Sequence, residues 1–249
     1  MPFVSFDAVP AATASPGFAI CTNEICSVFL EKVFPILGAI LLTVTEFAPL
    51  PAVIKLDRTG ILEMNPLPYS TGLPSCLAWS TYALLIRDYY VFAPNLTGTP
   101  LCLYYTLVAY GHASKEQKKW MLLTCVGSTT FIWLVTYICF IPLHDTETGK
   151  TIQGVLAMLF FMLWVSSPLS NVVNVIKERN ASSIDVFLAV SLLVSSLFWT
   201  VYGIAIRDWF ITASNAVGTT TGAIQVLCLI VFGSKPEPSV AVEVEGDKL

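Results

Sequence analysis

Charged side chains are the first scarcity. Asp, Glu, Lys and Arg together make up 12% of the 249 residues, against roughly 25% in a soluble domain. So small a polar complement cannot cover a globule of this size in water. Histidine occurs only twice, at His112 and His144, both in short connections. No Cys/His spacing suits a metal ion, and no glycine-rich phosphate loop or nucleophile elbow is present. An enzyme, an ATP-driven machine, and a metal or other resident cofactor are therefore not expected. No basic cluster of the kind that holds nucleic acid is visible either. The first thirty residues lack a basic start and carry Asp7, Pro10 and Pro16. They do not read as a signal peptide, and insertion is expected to begin with the first long apolar helix.

What the chain has in quantity is apolar sequence, 55% of all residues, with a mean hydropathy of +0.72. It falls in blocks of about 20 residues, the length a helix needs to cross a ~30 Å hydrocarbon core. Seven spans are expected, at 34–55, 66–86, 92–111, 121–141, 153–176, 186–206 and 210–232. The fold class is thus an all-α integral membrane protein with seven transmembrane helices. Nine basic residues (Lys55, Arg58, Lys115, Lys118, Lys119, Lys177, Arg179, Lys235, Lys248) fall on one side and four (Lys32, Arg87, Lys150, Arg207) on the other. The richer side is expected to be cytoplasmic, which places the N-terminal segment 1–33 outside and the acidic tail 233–249 inside and disordered. Of the seven cysteines, Cys76, Cys102, Cys125, Cys139 and Cys228 lie in apolar blocks as small hydrophobes. Cys21 and Cys26 precede the first span, where either a disulfide or free thiols fit.

The sequence repeats itself. Trp79, Tyr82, Ile86-Arg87-Asp88, Asn95 and Gly98 recur as Trp199, Tyr202, Ile206-Arg207-Asp208, Asn215 and Gly218, each 120 positions later. Ala48-Pro49 recurs as Ser167-Pro168, 119 positions later. Residues 34–111 are therefore one three-helix unit and 153–232 its copy. An odd number of crossings would invert the copy, so the helix at 121–141 restores its direction. The result is a parallel 3+1+3 arrangement, in which sites form near the midplane where the repeats meet.

The paired residues are the candidates for function. Asn95 and Asn215 lie early in the third helix of each unit, within apolar sequence. A single asparagine there would be read as interhelical glue. A symmetric pair points to a site, because an amide donates and accepts without charge. Trp79 and Trp199 precede them on the second helices, and an indole face packs on the C–H face of a pyranose ring. Interfacial anchoring is the alternative for tryptophan, although these two sit inside their helices. Ser75 and Ser195, one turn earlier, share that face. Pro49 and Pro168 interrupt the first helix of each unit, either as hinges or as static kinks. Arg87, Asp88, Arg207 and Asp208 are placed to pair across the pseudo-twofold when the outer mouth is closed. Glu46 lies inside the first span and Asp185 at the entrance to the sixth. An intramembrane carboxyl is a functional candidate by default, with the polar groups of the bundle as its plainer role.

Ala48-Pro49, Ser167-Pro168, Pro68-Tyr69 and the two Trp-x-x-Tyr stretches leading to Asn and Gly resemble the SWEET (MtN3/saliva) sugar transporters over residues 34–232. The resemblance implies a facilitative, bidirectional sugar uniporter working by alternating access. Its sugar site would comprise Asn95, Asn215, Trp79 and Trp199, with Ser75 and Ser195 tuning sugar size. Pro49, Pro68 and Pro168 would be the hinges, and Tyr82, Tyr202 and Asp208 the outer gate. It also implies a homo-oligomer in a lipid membrane, with the plasma membrane preferred to an internal one. The chain departs from the family where a fourth proline belongs and Asp185 stands instead, so Asp185 with Glu46 is a candidate for pH-sensitive transport. The alternatives are a carrier of another small polar solute, a proton-coupled sugar carrier, or a seven-helix receptor. The last has no need of a repeat.

Overall fold

Proline and glycine decide where the long apolar runs bend and stop. The computed structural model describes residues 24–62, 65–140 and 146–233, and every regular element among them is helical. Helix α1 spans Glu24–Thr59 and is interrupted at Ala48-Pro49. Pro49 has no N–H for the Thr45 carbonyl, so the Ala48 N–H reaches back to it in a tighter turn at 3.1 Å. The helix resumes at Leu50 and ends on Gly60, whose φ of +70° closes the last turn. Helix α2 (Leu67–Ile86) starts behind Pro66, with Pro68 in its first turn. Helices α3 (Tyr89–His112), α4 (Lys115–Cys139), α5 (Thr146–Glu178), α6 (Val186–Ala205) and α7 (Trp209–Phe232) follow. A capping box of Ser114 and Gln117 starts α4.

Five of these helices (α1, α4, α5, α6 and α7) are long and apolar enough to cross a membrane by composition alone. The other two, α2 and α3, are long enough but less apolar. Their 20 and 24 residues reach about 30 and 36 Å. They bury Ser70, Ser75, Asn95 and Thr106, together with glycines and prolines, against other helices. Polar groups that lower the mean hydropathy therefore face protein rather than lipid. The outer face is correspondingly apolar, with Ile40, Val44, Trp133, Leu134, Leu227 and Ile230 exposed. Helix α1 begins ten residues before the apolar run at 34, and α5 seven before the run at 153, because backbone bonding continues past the hydrocarbon-length stretch.

Within the first unit α3 lies between α1 and α2, and within the second α7 lies between α5 and α6. The units meet along two seams, α1 on α6 and α2 on α5, so six helices close a ring in the order α1, α3, α2, α5, α7, α6. Helix α4 packs outside the ring on α2 and α5. At one end a single core spans both units, built on Trp79, Tyr82, Val91, Trp199, Tyr202 and Ile211. At the other end the core divides. Leu56, Ala109 and Met121 form one cluster and Val172, Val175 and Cys228 another. The two units are thus sealed together at one mouth and packed separately at the other.

Candidate functional site

The seal starts from the repeated Ile-Arg-Asp. Arg87 and Arg207 each take a left-handed conformation, φ 59°, which ends α2 and α6 abruptly. The next residue, Asp88 or Asp208, caps the following helix. Asp88 Oδ1 accepts from the N–H groups of Tyr90 and Val91 (2.9 and 3.1 Å), and Asp208 Oδ1 from those of Phe210 and Ile211 (2.9 and 3.0 Å). The second oxygen of each aspartate points across the pseudo-twofold. The Tyr82 hydroxyl donates to Asp208 Oδ2 at 2.5 Å, and the Tyr202 hydroxyl donates to Asp88 Oδ2 at 2.7 Å. Each carboxylate thus ties its own helix start to the opposite unit. Burial pushes the Asp88 carboxyl up, opposed by the Tyr202 hydroxyl and the two N–H groups that bond it. The sequence suggested arginine–aspartate pairs at this mouth; the structure shows that tyrosine hydroxyls bond the aspartates across it.

Aromatic rings fill the space around these bonds. Tyr82 meets Phe210 edge-on at 5.7 Å, and Tyr202 meets Tyr90 in the same way at 6.2 Å. Phe210 and Tyr90 are themselves 120 positions apart. Above them lies a vestibule of about 660 Å³ lined by Arg87, Tyr89, Tyr90 and Arg207 together with the aspartates.

One turn inward, Trp79 stands edge-on to Tyr82 (5.9 Å) and Trp199 to Tyr202 (5.8 Å), both indoles buried. Gly38 of α1 makes room for Trp199, since a Cβ there would sit 3.0 Å from its Nε1. That indole N–H is enclosed without a hydrogen-bond partner among the described residues. On the other seam Ala157, 119 positions after Gly38, is a buried small residue in the cluster with Trp79. Ser75 and Ser195 are buried, and the Ser195 hydroxyl donates to the Gly38 carbonyl at 3.3 Å.

Asn95 is buried and Asn215 half-buried. Each amide donates to the carbonyl one turn earlier, Val91 at 2.8 Å and Ile211 at 2.9 Å. Those bonds fix the amide planes; the second N–H of each group and its oxygen make no other hydrogen bond among the described residues. Directly below, Gly98 presses on Cys76 of α2, and Gly218 on Ser196 of α6. Cys76 and Ser196 are also 120 apart, so the α2–α3 and α6–α7 crossings are copies of one another. The paired tryptophans and tyrosines share one core, flanked by the serines on the same helices, α2 and α6, and by the asparagines on α3 and α7.

The proposed hinges have different surroundings. Pro49 sits at the break in α1, and Pro68 in the first turn of α2. Pro168 lies within α5, where the side-chain surroundings fall outside the described residues. Asp185 is exposed and caps α6, accepting from the Leu188 N–H at 2.9 Å. It therefore serves as a helix start where the family pattern has a proline. Cys26 is disulfide-bonded, and Cys21 lies outside the described residues.

Two three-helix units, related by a pseudo-twofold along their crossing seams and locked at one mouth, define the parallel-repeat class of membrane transporter. The family model described as "Sugar efflux transporter for intercellular exchange", MtN3_slv, matches residues 32–119 and again 151–237. The chain belongs to this MtN3/saliva, or SWEET, family. It is 29% identical over 204 residues to the bidirectional sugar transporter SWEET2a of Oryza sativa subsp. indica, covering 80% of this chain and 82% of that protein. It is 25% identical over 225 residues to bidirectional sugar transporter SWEET14 of Arabidopsis thaliana, covering 88% and 79%. A solved structure of a eukaryotic SWEET transporter shares the fold, with a TM-score of 0.73 at 21% identity, over 84% of this chain and 98% of that one.

Proposed function

We propose that this chain is a facilitative, bidirectional sugar uniporter, and that the crossed Tyr82–Asp208 and Tyr202–Asp88 bonds are its outer gate. The observation that carries the reading is the division of the core. One cluster unites the units beside these bonds, while the opposite ends pack separately. Such a body can rock about its seams and open at either mouth. A hydrogen bond to a carboxylate contributes about 1.5–3 kcal/mol. Two of them make a lock that thermal motion opens without ATP or an ion gradient.

The sugar site proposed is the layer inside this gate. Asn95 and Asn215 offer neutral amide donors and acceptors, Trp79 and Trp199 offer flat apolar faces, and Ser75 and Ser195 border them. Uncharged groups of this kind suit a neutral polyol; the charged ends of an amino acid would call for ionic partners. Pro49, Pro68 and Pro168 are proposed as the points where the helices flex. The basic-rich connections support a cytoplasmic side for the separated mouth, with the locked mouth outside; the plasma membrane is proposed as the location. A homo-oligomer is proposed as the working assembly.

The test is flux of radiolabelled glucose and of sucrose into liposomes that hold the purified chain, with no ion gradient. Saturable, bidirectional movement of either sugar is expected. Absence of both with folded protein would point to another small polar solute.

A further inference from the structure

Glu46 is an ionisable group in the bundle that the proposed cycle does not use. It projects from α1 onto Gly98 of α3, where a Cβ on that glycine would overlap its carboxyl. Gly98 lies three residues beyond Asn95, so the carboxyl sits one turn below the proposed sugar layer. Its Oε2 is fully enclosed and has no hydrogen-bond partner among the described residues. The titratable groups facing it are the Cys76 thiol from α2 and the Cys102 thiol and Tyr105 phenol from α3. From α6, the element packed on the other side of α1, Ser195 and Trp199 meet α1 at Gly38, about two turns before Glu46. No cation faces the carboxyl among the described residues. Its counterpart 119 positions later is Val165, which is buried, so the pseudo-twofold pairs an acid with a hydrocarbon.

The position also lies at a joint. The break at Ala48-Pro49 follows two residues later, and the Tyr105 hydroxyl donates to the Glu46 carbonyl at 2.9 Å, which pins this part of α1 to α3. A movement of α1 about Pro49 alters what surrounds the carboxyl. Enclosing a bare carboxylate in a membrane interior is costly, and enclosing a neutral acid much less so. We propose that Glu46 is a proton-binding site, taking its proton from the aqueous phase and returning it there as the bundle alternates between open and closed mouths. Sugar flux through this chain is then pH-dependent. The inference rests on the transport reading above; Asp185, exposed and engaged as a cap, has no part in it.

The proton step is RCOO⁻ + H₃O⁺ → RCOOH + H₂O, completed before the mouth-closed arrangement forms. As pH rises the ionised form holds α1 in water-exposed arrangements, and exchange slows. The experiment is equilibrium exchange of radiolabelled glucose in liposomes holding the full chain, at equal pH on both sides, from mildly acidic to alkaline. Wild-type exchange is expected to fall with rising pH, approaching about tenfold per unit where the group titrates. Glu46→Gln is expected to be flat, and Glu46→Asp to keep a slope. A flat wild type that transports, or the same slope in Glu46→Gln, overturns the proposal. Infrared difference spectra between acid and alkaline buffers give a readout independent of sugar. A protonated-carboxyl stretch should be present in the wild type and missing in Glu46→Gln; an unchanged band overturns the assignment. If folded wild type moves no sugar at any pH, the transport reading falls and the infrared band alone decides Glu46.

Discussion

The Tyr82 hydroxyl stands 2.5 Å from the carboxylate of Asp208, a residue 126 positions away in the other repeat, and donates a hydrogen bond to it. Its symmetry mate, Tyr202 to Asp88, makes the same bond in the opposite sense at 2.7 Å. Because the bonds are reciprocal, loss of one leaves the other holding. Tyr82→Phe and Tyr202→Phe singly are each expected to weaken the outer closure by about 1.5–3 kcal/mol, and the double variant to open it. Tyr89 and Trp209, 120 apart and exposed at 67% and 77%, are sites for spin labels. Labels carried on a non-canonical amino acid leave the seven cysteines untouched. The distance between them should gain a longer population in the double variant. An unchanged distribution would remove the gate.

Asp88 and Asp208 do two jobs, and substitutions separate them. Asparagine still caps a helix but brings no charge to the tyrosine, whereas alanine loses both functions. Asp88→Ala and Asp208→Ala should lower the melting temperature in detergent, by the equivalent of about 1 kcal/mol more than the Asn variants. Equal melting of Ala and Asn variants would mean that the N–H bonds to Oδ1 contribute nothing.

The close crossings at Gly98 and Gly218 leave no room for side chains. Gly98→Ala should destabilise the fold by about 1–3 kcal/mol through collision with Glu46 and Cys76. Shortening one obstacle in Glu46→Ala should relieve part of that cost, a coupling of about 0.5–3 kcal/mol in a double-mutant cycle read by denaturant or thermal unfolding. Additive effects would show that α1 does not approach α3 at this point.

Asp185→Asn keeps a capping side chain at α6. It should leave both the melting temperature and the pH profile of sugar exchange near those of the wild type. A pH profile flattened by this substitution would return Asp185 to the role first considered for it with Glu46.

Much of the architecture is legible in the sequence, because a fixed offset of 120 between Trp79 and Trp199, Asn95 and Asn215, or Asp88 and Asp208 is a one-dimensional signal. It gives the parallel repeat and the need for a linking helix before any contact is known. What lies across the pseudo-twofold is not legible this way. Tyr82 and Asp208 share no spacing rule; the family resemblance marks both as gate residues, but it does not say that one bonds the other. Gly38 carries no mark either, since its meaning comes only from the Trp199 indole that lies on it. Cys76 and Ser196, and Tyr90 and Phe210, do fall at the repeat offset but differ in residue type, so a search for identities passes over them. The first turns of α1 are missed because hydropathy reports hydrocarbon, not backbone hydrogen bonds. Asp185 as a cap was readable from its place before an apolar run.

The central claim is that sugar crosses between the repeats past Asn95 and Asn215. The most direct measurement is saturable glucose or sucrose flux in gradient-free liposomes, wild type beside Asn95→Ala/Asn215→Ala. The double variant must first be shown to be folded, by an unchanged melting profile. Wild-type flux lost in the variant is the expected result. Undiminished flux in a folded variant would contradict the site.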